Sequence, residues 1–290
     1  MKNDRSGFTL VELITALVLF GIVGTSIYQL LVNNQRVYRQ QTARVDVNQS
    51  ARSAISILPG EIRELSAGDP AGSDIVQMTA SSLTYKAMRS LYFLCAAPNT
   101  GTFEVILDGS TFFGLRPLDA TRDSIFLFAE GDPSTRADDA WLHANVVSTT
   151  VGTACTGGAA SLTVRLSGVT AAQLGNVESG APIRGAEVVE VLLYADAAGD
   201  QWLGGRQYTK ASGTWTNTQP IVGPLAAGGL ALTYYDTLGV VTAVPADVAR
   251  IAITVQSQGS EFVAGTGSSG RALMMQDIMT QVALRNNPTY

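Results

Sequence analysis

Glu12 carries the clearest chemical demand in the chain, because it sits at the start of an apolar run. From Leu13 to Gln35, 23 residues, there is no charged side chain. As a helix this run is about 34 Å long, enough to cross a hydrocarbon core of about 30 Å. A carboxylate costs about 2.5–3.5 kcal/mol at the centre of such a helix and less near the interface. Either Glu12 meets a partner, or it reaches back to the headgroups from one turn inside. A secretory signal has a shorter apolar region, about 7–15 residues, closed by a small-residue cleavage site. This run is longer and has no such site.

Lys2 and Arg5 precede the run. By the positive-inside rule they hold the amino terminus in the cytoplasm and send the chain beyond about residue 35 across the membrane. Cys95 and Cys155, the only cysteines, then lie where disulfides form. A bridge between them is expected, closing a loop of about 60 residues, with free buried thiols as the alternative.

Other candidate chemistry is thinner. His143 is the only histidine and has no nucleophile motif beside it. With two cysteines and no C-x-x-C or H-x-x-x-H spacing, no zinc site is expected. Gly265-Thr-Gly267-Ser-Ser-Gly270 matches G-x-G-x-x-G, but only 20 residues follow it. That leaves no room for the βαβ unit a dinucleotide site needs, so it reads as a flexible loop. Asp196, Asp200 and the acidic stretch 132–139 offer oxygen ligands for calcium but fit no EF-hand, and read as solvated turns. Trp141, Trp202 and Trp215 are read as core aromatics rather than a binding face. No catalytic residue, metal ligand or cofactor is assigned.

Gly7-Phe8-Thr9-Leu10-Val11-Glu12-Leu13 resembles the prepilin signature of type IV pilins and type II secretion pseudopilins. The resemblance implies cleavage between Gly7 and Phe8 by a membrane prepilin peptidase and N-methylation of Phe8. It also implies that Glu12 of an incoming subunit pairs with the Phe8 amine of a neighbour in a filament. Such a pair removes two buried charges at once and sets register more than net stability. Ala51-Arg52 through Glu61-Ile62-Arg63, together with residues 248–253 and Leu284-Arg285-Asn286, look like PilW-type minor pilins and J-type minor pseudopilins. The implied partners are prepilin peptidase, other pilin or pseudopilin subunits, the inner-membrane assembly platform and, before assembly, membrane lipid. The implied place is the inner membrane, with the head outside the cytoplasm, and then a pilus or pseudopilus.

These residues need a helix to carry them and a head to follow. Ala51, Ile55, Leu58, Ile62 and Leu65 form one amphipathic stripe, interrupted by Pro59-Gly60. One helix is expected from Phe8 to about Leu58, with a short continuation to Ser66. Beyond Gly68, short β-branched and aromatic runs alternate with turn residues, the mark of antiparallel sheet. Strands are expected at 82–88, 91–95, 103–107, 124–128, 145–150, 161–166, 187–194, 206–209, 230–235, 250–256 and 273–284, the last also compatible with helix. A hairpin turn is expected at 196–200. The layout is α+β: leader 1–7, membrane or filament-core helix 8–32, amphipathic continuation 33–66 and β-rich head 67–290.

Composition bounds the function. Nineteen Lys+Arg against 24 Asp+Glu give a net charge of −5. Phosphate recognition wants the opposite sign, so nucleic acid is a disfavoured partner. A DNA-uptake pilin would need a local basic patch, for example around Arg184 or Arg206. A membrane-anchored enzyme or adhesin would need a constellation in the head that the sequence does not display.

Overall fold

The computed structural model describes residues 9–68, 72–110, 112–132, 134–135, 139–264 and 270–285. Helix α1 (Leu10–Ile62) leads into a head built from antiparallel strands, an α+β layout. Its first 33 residues bury nothing. From there Ala43, Val47, Ala51, Ala54, Leu58 and Ile62 form a buried stripe with steps of four, four, three, four and four residues. The stripe starts two turns earlier than expected, and Ala54 takes the core position while Ile55 is half-buried. Alanines let strands approach the helix closely.

Pro59 does not interrupt the helix, contrary to expectation. Arg63 N–H donates to Pro59 O at 3.0 Å, so the turn closes beyond it. An interior proline costs about 3 kcal/mol. Complete burial of Leu58 and Ile62 on either side recovers about 1.5–3 kcal/mol each.

The strands are β1 (Ile75–Met78), β2 (Ser82–Asn99), β3 (Glu104–Asp108), β4 (Phe113–Gly114), β5 (Asp123–Ala129), β6 (Ala140–Gly152) and β7 (Ser161–Ser167). After a single turn of helix, α2 (Ala171–Leu174), come β8 (Pro182–Ala195), β9 (Gln201–Thr209), β10 (Thr214–Trp215), β11 (Gln219–Tyr235), β12 (Arg250–Ala264) and β13 (Arg271–Ala283). The runs 82–88 and 91–95 are one strand, β2, with an irregularity between Met88 and Ser90. The Met-rich run 273–284 is strand, paired along its length with β12. β11 begins 11 residues before the expected run, in a stretch where Pro220 and Pro224 mask the strand signal.

β2 and β8 organise the head. They pair antiparallel from Ser82↔Leu192 to Phe93↔Pro182, across a long excursion of the chain. That excursion closes on itself. β2 pairs with β3, β3 with β7, β7 with β6, β6 with β5, and β5 with β8, which returns to β2. The result is a closed six-stranded antiparallel barrel, which leaves no free edge of its own. Leu94, Val105, Leu107, Ile125, Leu127, Val146, Val164 and Ile183 fill its core, joined by Leu174 of α2.

The other halves of β2 and β8 join β1, β9, β11, β12 and β13 in a sheet whose core packs on α1 through Leu58, Ile62, Leu83, Tyr85, Leu203, Ile251, Ile253 and Val255. Arg89, in the middle of β2, bonds Glu61 in the last turn of α1 at 3.1 Å, and β2 runs ten residues further. The barrel therefore stands beyond the carboxyl end of α1, at the end of the head opposite the apolar run. The stretches 51–63, 248–253 and 284–285 meet at that same helix end. Arg285 N–H donates to Arg63 O and Leu284 N–H to Ala249 O.

Candidate functional site: the amino-terminal turn of the helix

Gly7 and Phe8 lie outside the described residues; the site begins at Thr9. Thr9 is the N-cap of α1, with extended backbone, and Glu12 is three residues on. The two form a capping box. Glu12 N–H donates to Thr9 Oγ1 at 3.3 Å, and Glu12 Oε2 accepts from both Thr9 N and Thr9 Oγ1 at 3.0 Å. Threonine followed three residues later by glutamate satisfies two of the amide donors that every helix start leaves open. The carboxylate also stands at the positive end of the helix dipole.

Leu13, Ala16, Leu17 and Phe20 border Glu12 on the same side of the helix, and Phe20 is 79% exposed. Glu12 is thus the one charged side chain on this exposed apolar stretch. Thr15, Thr25 and Ser26 return their hydroxyls to carbonyls one turn back, so they add no open polarity to the run.

The head places the remaining candidates apart from one another. His143 on β6 faces Phe126 of β5, ring centroids 5.1 Å apart. Burial, then the nearby ammonium groups of Lys86 and Lys210, pushes its pKa down to about 4. Among the described residues no carboxylate or hydroxyl hydrogen-bonds it. Asp196 is a turn residue. Its carboxylate accepts from Ala198 N, Asp200 N and Trp202 Nε1, and the turn joins β8 to β9 as a hairpin. Asp132 likewise accepts from Ser134, while residues 133 and 136–138 of the acidic stretch lie outside the described residues. So do residues 265–269 of the glycine-serine loop. Among the described residues no cluster of three or more His, Cys, Asp or Glu is placed to hold a metal ion.

The tryptophans correct the expectation of core aromatics. All three are half-buried at the surface, and two of them, Trp141 and Trp215, hold a cation over the ring. Arg184 lies over Trp141 at 4.2 Å, and Arg206 over Trp215 at 4.8 Å. Arg206 is also paired with Glu190. The two arginines named as a possible basic patch are thus each engaged within the head.

Sequence reasoning missed a buried charge cluster. Glu187 bonds both Arg89 and Arg116, and Arg116 bonds Asp123 at 2.7 Å. Glu187 and Asp123 are almost fully buried. Their alternation with apolar neighbours reads as ordinary strand, and only the pairing of β2, β5 and β8 assembles them. Cys95 and Cys155 are bridged, tying β2 to the β6–β7 connection of the barrel.

Residues 2–28 match the family model described as the prokaryotic N-terminal methylation motif. No curated protein and no solved structure matches the chain. The motif implies processing by prepilin peptidase and assembly with other pilins, and with the apolar helix behind it supports membrane anchoring with the head outside. The capped helix start, the bare apolar helix and the matched motif together support reading the chain as a type IV prepilin-like protein.

Proposed function

We propose that this chain is a minor pilin or pseudopilin, of the PilW or J type, and serves as a structural subunit of a type IV pilus or a type II secretion pseudopilus. The role is structural rather than catalytic. The observation that carries the reading is Glu12, exposed on the first turn of an apolar helix and bounded by Leu13, Ala16, Leu17 and Phe20. Hydrolysis of the Gly7–Phe8 peptide bond frees an amine on Phe8, and methylation keeps that nitrogen cationic. Glu12 of one subunit then receives the Phe8 amine of its neighbour, and the pair sets the axial step between helices. Before assembly α1 resides in the inner membrane; afterwards it packs in the filament core, and the head makes the outer contacts.

The test is the intact mass of the protein purified from membranes of a host with prepilin peptidase. The expected mass is residues 8–290 plus one methyl group, less two hydrogens for the disulfide. A mass starting at Met1, or a cut beyond the apolar run, would overturn the reading.

A further inference from the structure

We infer that, while α1 is in the membrane, the paired strand ends of β12 and β13 that carry Phe262 and Arg271 lie at the bilayer surface and contact anionic phospholipid headgroups. The inference rests on the membrane anchoring of α1 and on the register between helix and hairpin.

Two contacts fix that register. At the top, Arg285 N–H donates to Arg63 O beside the Arg250↔Ala283 pair. Lower down, Ser257 Oγ donates to Val47 O at 2.8 Å. From Arg63 to Val47 the helix descends about 24 Å at ~1.5 Å per residue, and from Arg250 to Ser257 the strand descends about 23 Å at ~3.3 Å per residue. Strand and helix therefore run side by side. Gly259 lies against the same stretch of helix, where a Cβ would stand at ordinary contact distance, 3.4 Å, from Val47 Cγ2. Below it, Gly259 and Ser260 share a cleft with Tyr38, Arg39, Thr42, Ala43 and Asp46.

The hairpin continues past that cleft, with Phe262↔Leu273 and Ala264↔Arg271 still paired. Ser257 pairs with Gln276, and Arg271 lies five residues below Gln276. That is about 17 Å, or roughly 11 helical residues, which brings Arg271 level with Arg36. Arg36 is the first charged residue after the apolar run.

The chemistry at this level suits a lipid surface. Arg36, Arg39 and Arg271 are all exposed at or near this level, in a protein whose net charge is −5. Tyr38 and Phe262 are 70% and 60% exposed at the same level. Aromatic rings and cations together are the usual occupants of the membrane–water interface, and arginine near an anionic surface is held there electrostatically.

The experiment uses the full chain in vesicles of phosphatidylethanolamine and phosphatidylglycerol containing lipids brominated near the headgroup end of the acyl chain. Phe262→Trp puts an indole at the hairpin; the wild type, with its three native tryptophans, supplies the baseline. The expected result is a blue-shifted emission component that brominated lipid quenches and that the wild type lacks. Its quenching should fall several-fold in phosphatidylcholine vesicles or on adding Arg271→Glu. Quenching no greater than the wild-type baseline, in chain that resists alkaline extraction, would overturn the inference and leave the anchoring intact. Chain that is extracted by alkali would overturn the anchoring itself, and this inference with it.

Discussion

Glu12 already has a partner inside its own chain: its carboxylate closes a ring with the amide and hydroxyl of Thr9, three residues back. The helix thus carries its acid without leaving it bare, and in the proposed pairing a neighbour's Phe8 amine would supply the opposite charge that these two neutral donors lack. Glu12→Ala should be cleaved and methylated normally yet enter sheared filaments poorly. Thr9→Val should lose a cap of about 1 kcal/mol and weaken incorporation less, with Thr9→Ser restoring it. Immunoblots of processed chain and of sheared filaments separate the two effects. Wild-type incorporation of Glu12→Ala would end the pairing argument.

Glu187 is the centre of the charge cluster that joins the barrel to the helix-packed sheet. Removing it leaves the guanidinium groups of Arg89 and Arg116 partly buried without their shared carboxylate. Glu187→Ala should destabilise the head by about 1–3 kcal/mol, since Arg89 keeps Glu61 and Arg116 keeps Asp123 while both lose a charged hydrogen bond. Denaturant titration of detergent-solubilised protein measures it. A loss under 1 kcal/mol would mean that water or a neighbour replaces the carboxylate.

His143 gives the head a pH dependence of definite sign. Its pKa falls from an ordinary 6.5 to about 4 on folding, through burial first and the two lysines second. The unfolded chain therefore binds the proton more readily between those values. The stability tied to a neutral His143 is fully present above pH 6.5 and is lost as pH falls toward 4. After allowance for partial exposure that loss is about 1–2 kcal/mol. His143→Gln should flatten the melting temperature between pH 7.5 and 4.5; an unchanged slope would assign it to other groups.

The Cys95–Cys155 bridge spans a separation of 60 residues and lies wholly within the barrel half of the head. Constraining a loop of that length stabilises by about 4 kcal/mol in the entropic account. With both cysteines changed to serine, hydrogen exchange should accelerate most in β3, β6 and β7 and least in β12, which packs on α1. Uniform acceleration across the head would show that the two cores unfold as one unit.

What the amino-acid sequence determined by itself is whatever depends on neighbours within a few turns. The apolar run, the acid at its start and the threonine three residues before it specify a capped membrane helix with one point of chemistry. The hairpin at Asp196–Asp200 is equally local, because one carboxylate organises the whole turn. The tertiary structure alone decided where separated segments meet. β2 and β8 pair across a stretch whose sequence reads as a series of ordinary strands, and nothing local says that those strands close into a ring. Pro59 reads as a helix stop until Leu58 and Ile62 are seen buried on either side of it. Trp141 and Trp215 read as core until arginines from other strands cover their faces. Glu187 and Asp123 read as strand polarity until Arg89 and Arg116 arrive from elsewhere in the fold. Helix and turn hydrogen bonds close over three or four residues, so their signals lie in the sequence itself. Sheet pairing and buried charge close over tens of residues, and the side chains that satisfy them are known only once the strands are side by side.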